Sequence, residues 1–82
     1  MDFDEIKDRI LVDLRRSGYA EMRSGYAEIV VGEWDRHTAV GACYTALQRY
    51  YGSAEHSGSV ETARTGDNQF LIKVYAEKEE CD

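Results

Sequence analysis

The chain offers little that names a chemistry. No stretch carries a catalytic, metal-binding or nucleotide-binding motif. No apolar run approaches the ~20 residues needed to cross a bilayer as a helix. Cysteine is scarce: Cys43 lies on an apolar stripe and Cys81 in a charged C-terminal run, so the two are expected not to pair, which fits a reducing compartment. The opening residues Met1-Asp2-Phe3-Asp4-Glu5 are acidic, so no signal or transit peptide is expected and a cytoplasmic protein is the reading.

What is present suits one small folded domain. The sequence has 82 residues, of which 43% are apolar, enough for a core without a disordered-type bias. A chain of this size buries only ~60–65% of its unfolded surface, so self-association is an option. The net charge is −6. The whole excess lies at the two ends of the sequence. Asp2, Asp4, Glu5, Asp8 and Asp13 face only Lys7 and Arg9, and Glu77, Glu79, Glu80 and Asp82 face only Lys78, while residues 15–75 balance. Such a layout serves solubility, and it also makes an acidic face for a basic partner.

Helical spacing marks the first element. Phe3, Ile6, Ile10 and Leu14 fall on one stripe with Leu11 at its edge, and Val12 lies off it. Asp2 and Glu5 form a capping box, acids fill the first turn, Arg15-Arg16 the last, and Gly18 is a natural stop. Beyond it the string Ser-Gly-Tyr-Ala-Glu occurs twice, at 17–21 and 24–28. A continued helix would put Ser17/Gly18, Glu21 and Gly25 on the apolar stripe, so a heptad reading fails. A tight hairpin with Ser24-Gly25 at the turn fits better. It opposes Arg23 to Tyr26, Met22 to Ala27, Glu21 to Glu28, Ala20 to Ile29 and Tyr19 to Val30. Ala20, Met22, Ala27, Ile29 and Val31 then share one face.

A second helix is predicted over 36–51, with Asp35 as N-cap, Gly52 after its end, and Val40, Cys43, Leu47 and Tyr50 inward beside Ala39 and Ala46. Residues 52–59 read as a Gly/Ser-rich loop containing His56. A second hairpin follows. Placing Thr65-Gly66-Asp67-Asn68-Gln69 at its turn pairs Val60 with Val74, Thr62 with Ile72 and Glu61 with Lys73. The predicted order is αββαββ: an α+β domain over 1–76, a four-stranded antiparallel sheet of two hairpins with both helices on one face, then a fraying acidic tail over 77–82.

The chemistry-bearing groups are few. Glu33, Asp35 and His37 lack the spacing of a metal site and read as a cap and a solvated loop. Cys43 and His37 lie about 240° apart on one helix, which precludes a direct nucleophile–base pair. Arg15, Arg16 and Arg23 are too few for a nucleic-acid stripe in a chain of this charge. No cofactor, no metal and no direct nucleic-acid binding is expected, and the chain reads as non-enzymatic. His37, Tyr44 and Tyr51 recur every seven residues and form a second helical stripe, either a core edge or a docking face. Trp34 is a core lid or an interface anchor.

In size, acidity, compact α/β build with hairpins and lack of catalytic residues, the chain resembles small phage-encoded inhibitor proteins, including anti-CRISPR proteins. The resemblance is one of overall profile and transfers no residue. It implies a stoichiometric inhibitor occupying a basic, nucleic-acid-binding groove of a host nuclease complex, acidic side chains standing in for phosphates. Candidate acids on this reading are Asp2, Asp4, Glu5, Asp8, Glu77, Glu79 and Glu80. Candidate aromatic anchors are Tyr19, Tyr26, Trp34, Tyr44 and Tyr51. The alternative is a cytoplasmic homodimeric structural or regulatory domain, meeting its copy through the helix 2 tyrosine stripe or a sheet face lined by Tyr19, Tyr26, Val30, Leu71 and Tyr75.

Overall fold

A computed structural model describes residues 2–17, 24–52 and 56–78. Helix α1 spans Phe3–Ser17 and strand β1 Ser24–Gly32. A 3-10 turn, Glu33–Asp35, leads into helix α2, Arg36–Tyr51. Strands β2, His56–Gly66, and β3, Gln69–Lys78, complete the described chain.

Helix α1 starts where its acids suggest. The Asp2 carboxylate accepts the Glu5 backbone N–H at 2.8 Å, satisfying one of the unpaired donors of the first turn. Ile6, Ile10 and Leu14 are fully buried on the predicted stripe, Leu11 packs at its edge, and Phe3 stays 39% exposed. Val12, off the stripe, is half exposed. Helix α2 occupies its predicted span. Gly52 follows it at φ 63° and donates its N–H to the Gln48 carbonyl at 3.1 Å, while Asp35 makes no side-chain capping bond. Its buried side chains Ala39, Ala42, Cys43 and Ala46 are small, which lets α1 lie close. Phe3 packs beside Gly41, and both Leu14 and Tyr50 meet Gly25, so the two helices run in the same direction.

The sheet differs from the expectation. Among the described residues it has three antiparallel strands in the order β1-β3-β2. Ser24 and Gly25, expected at a hairpin turn, are strand residues opposite Glu77 and Ala76 of β3. Tyr26 is paired with Tyr75 and Ile29 with Ile72 of β3. The expected partner strand over 19–23 lies outside the described residues. Glycine at position 25 serves packing: an added Cβ would stand 2.8 Å from the Leu14 carbonyl oxygen, so only glycine lets α1 end against the strand. Since β1 and β2 both run antiparallel to β3, they are parallel to each other, and α2 carries the chain across β3 between them.

The second hairpin follows its predicted register, with Val60 opposite Val74, Glu61 opposite Lys73 and Thr62 opposite Ile72. Two boundaries move. Strand β2 begins at His56, inside the expected loop over 52–59, and β3 runs on through Glu77 and Lys78, past the expected domain end at 76. Ala27, Ile29 and Val31 of β1 and Phe70, Ile72, Val74 and Ala76 of β3 are buried in one cluster with the inward stripes of both helices. At ~25 cal/mol per Å² of apolar surface removed from water, this single core is the main stabilising term.

Candidate functional site

Alternation along the strands decides what the other face of the sheet displays. Because Ala27, Ile29 and Val31 point into the core, Tyr26, Glu28 and Val30 point away, as do Leu71, Lys73, Tyr75 and Glu77 of β3 and Glu61 and Ala63 of β2. No described helix covers this face. Its rows run across the strands: Tyr26 opposite Tyr75, then Glu28, Lys73 and Glu61, then Val30, Leu71 and Ala63. A hollow of about 430 Å³ opens beside the last row, with Ala63 and Leu71 as its apolar lining and Glu61 and Lys73 as its charged lining.

The Tyr26 and Tyr75 rings lie 5.1 Å apart at 49°, a tilted pair of the kind aromatic quadrupoles favour. The Tyr26 hydroxyl donates to the Glu28 carboxylate at 2.6 Å, which fixes the ring against the strand. That hydrogen bond, with smaller contributions from desolvation and the neighbouring negative charges, pushes the Tyr26 pKa up to about 12. Glu28 and Glu61 stand on either side of Lys73, the one cation among the described side chains of this face, and Glu77 lies beyond the Tyr75 row. The face is aromatic, partly apolar and acidic.

The predicted acids among the described residues do not form one surface. Asp4 and Asp8 are exposed, but Lys7 reaches toward both, at 3.4 and 3.6 Å, and offsets part of their charge. Asp2 is occupied with capping. Glu77 stands at the opposite end of the fold, where Ser17 at the end of α1 meets Tyr26. Its distance from the α1 acids is about the length of the helix, roughly 20 Å at 1.5 Å per residue. Glu79, Glu80 and Tyr19 lie outside the described residues.

The helix 2 tyrosine stripe does not lie on one exposed surface. Tyr51 is 4% exposed and its hydroxyl accepts the Glu77 backbone N–H at 2.8 Å, so it is a core residue. Burial raises its pKa, opposed by that N–H. Tyr44 is half exposed and His37 exposed. Trp34 is 97% exposed, which rules out the core-lid reading. It shares a shallow hollow with Glu33, Arg36 and His37. Behind it Arg36 and Arg64 hold their guanidinium groups 5.0 and 5.2 Å from the Phe70 ring, and Glu33 lies 3.8 Å from Arg64. Among the described residues no group of His, Cys, Asp or Glu could hold a metal ion, and no helix is long and apolar enough to cross a membrane.

The sequence pattern puts Tyr26, Glu28 and Val30 on one outward face and Glu61 with Lys73 on the solvent side of the second hairpin, but does not bring the two groups together. The alternation that sends Tyr26 outward also sends Glu28 outward, so the signal was present; what it lacked was the adjacency of β1 and β3. Comparison of the chain with family models, with curated proteins and with solved structures finds no match.

Proposed function

We propose that the chain is a small acidic, non-enzymatic protein-binding inhibitor that occupies a basic, nucleic-acid-binding surface of a cytoplasmic partner complex, in the manner of anti-CRISPR proteins, and that it docks through the open sheet face. The supporting observation is the composition of that face. A tilted tyrosine pair supplies contact area at low entropic cost, and Glu28, Glu61 and Glu77 against Lys73 give it a negative field. Arginine or lysine side chains of a nucleic-acid groove can stack on Tyr26 and Tyr75 while the carboxylates replace phosphates. The same charges disfavour the alternative of two copies packed face to face, since that would bring like charges together.

The test is capture of the partner from extracts of the native host on the tagged chain. A nucleic-acid-binding complex that is retained at low salt, released by added salt, and displaced by competing nucleic acid is the expected outcome. A captured partner that nucleic acid fails to displace would sink the mimicry reading.

A further inference from the structure

Strand β2 is one of the two edge strands among the described residues, and from Gly58 to Gly66 every residue except Val60 is exposed. The phase of the ladder shows which backbone groups this edge offers. Both the N–H and the C=O of Tyr26 bond the Ser17 hydroxyl, at 2.7 and 2.9 Å, so they turn away from β3. The Asn68 carbonyl, which accepts the Glu33 N–H at 2.9 Å, has the same phase. Antiparallel neighbours alternate between bonded and non-bonded pairs. Tyr26 and Tyr75 are thus a non-bonded pair, and Tyr75, Lys73 and Leu71 direct their backbone groups to Ser59, Glu61 and Ala63 of β2. The N–H and C=O groups of Gly58, Val60, Thr62 and Arg64 then point outward, and no described residue bonds them.

We propose that this edge pairs with the β2 edge of a second copy, making a six-stranded sheet across a two-fold axis. Edge strands are normally blunted by proline, lysine or a cover. This chain has no proline, β2 has no lysine, and the one register shift of β2, between Arg64 and Gly66, lies at its turn end, outside the span from Val60 to Arg64. In a chain of net charge −6, the exposed stretch from Gly58 to Gly66 carries one Glu61 and one Arg64, so its copies meet without net repulsion.

Charge also selects the register. An axis at Glu61 would engage all the outward residues but set Glu61 against Glu61. An axis at Thr62 sets Thr62 against Thr62, Val60 against Arg64 and Glu61 against Ala63, with no like charges opposed. Even-numbered residues then pair with even-numbered ones, so the axis is perpendicular to the sheet. Both tyrosine-bearing faces look the same way, and the helices of both copies lie on the other side. A contact along one edge is smaller than the ~800 Å² per partner of a standard interface, so the dimer is concentration-dependent.

Sedimentation of the full chain over a range of micromolar concentrations tests this. The expected result is a reversible, largely salt-insensitive dimer that Thr62→Pro abolishes. The Thr62 N–H points outward, so that change removes no bond to β3 and circular dichroism should show the fold retained. Independently, Thr62→Cys in a Cys81→Ser background should form an intermolecular disulfide on oxidation with diamide. Directly opposed bonded residues lie ~5.5 Å apart between Cα atoms, within disulfide range. Asp67→Cys, in the turn and far from the axis, should not. A chain that is monomeric throughout overturns the proposal, as does a dimer that survives Thr62→Pro or fails to cross-link through Cys at 62. So does an edge that takes up only an extended host peptide while the chain itself stays monomeric.

Discussion

The Ser17 hydroxyl stands 2.7 Å from the amide nitrogen of Tyr26 and 2.9 Å from its carbonyl oxygen. One side chain at the end of α1 thereby meets the outward backbone groups of β1 at the point where the strand begins to display its tyrosine. The hydroxyl accepts the amide hydrogen and donates its own either to Tyr26 or to the Leu14 carbonyl, 3.1 Å away. It is the helix-to-sheet joint beneath the candidate docking face.

Ser17→Ala removes this joint. The site is exposed, so water can take over the unpaired groups, and the cost should fall near the ~1 kcal/mol of an ordinary hydrogen bond. Urea unfolding checks this, and unchanged stability would show that the joint contributes nothing. Tyr26 binding contacts should weaken together with the joint.

Tyr51 reaches from the end of α2 to the Glu77 backbone, and Gly58 makes room for it. A Cβ at 58 would stand 2.5 Å from the Tyr51 hydroxyl oxygen and 2.7 Å from the Tyr75 carbonyl oxygen. Gly58→Ala should therefore destabilise by ~1–3 kcal/mol, the range for overpacking a tight site. Tyr51→Phe should be milder, since it removes the hydroxyl that accepts the Glu77 N–H without introducing a clash. In the double variant the hydroxyl clash is gone while the carbonyl clash remains, so the two changes should cost less together than their sum. Additive losses in a double-mutant cycle would count against this account.

The outcome at "SGYAEMRSGYAEI" shows where the sequence is legible and where it is not. The alternation of Tyr26, Ala27, Glu28 and Ile29 depends only on period, and the structure keeps it. The second hairpin was readable because Val60, Glu61, Val74 and Lys73 leave one register that buries the apolar pair and joins the charges. The span of helix 2 is legible from its apolar spacing and Gly52, but its buried face is turned: Cys43 and Leu47 are inward as expected, while Val40 and Tyr50 are only partly buried and Ala42 and Tyr51 are buried. Gly25 was misread because local turn chemistry and a close approach by Leu14 both demand glycine, and only the long-range contact tells them apart. The placement of β3 between β1 and β2 is likewise a long-range outcome with no local signature. The burial of Tyr51 follows from that placement, since its hydroxyl needs the end of β3.

Alkaline titration separates three groups. Burial pushes the Cys43 thiol up to about 11 from 9, and Tyr26 rises to about 12 from 10. In both cases the folded pKa exceeds the unfolded one, so the contribution to stability is fully present below the unfolded value and lost as pH rises through the folded value. Stability should begin to fall above pH 9 and continue to fall through about 12. Tyr51, raised by burial, acts in the same direction. The Tyr26 share of the tyrosinate absorbance should appear late in the folded wild type, and Glu28→Gln should advance it. In a Cys81→Ser background the remaining thiol should react slowly with a thiol reagent at pH 8 until denaturant is added. Rapid labelling of the folded chain would contradict the buried position of Cys43.

Two sets of carboxylates now compete for the same functional role. Asp4, Glu5 and Asp8 carry a share of the excess charge, yet Lys7 draws in two of them and they stand a helix length from Glu77. Glu28 and Glu77 flank the tyrosine pair. Reversing Asp4, Glu5 and Asp8 to Lys should slow association and reduce its salt dependence, as expected for charges that steer from a distance. Reversing Glu28 and Glu77 should also speed dissociation, since those side chains lie within the contact. Tyr75→Ala should do the same at unchanged charge. Binding kinetics against the captured partner complex at two salt concentrations resolve the rates, with circular dichroism to confirm that each variant is folded. If the helix variant alone raises the dissociation rate, the docking face is α1, and the sheet face is not the surface through which this protein acts.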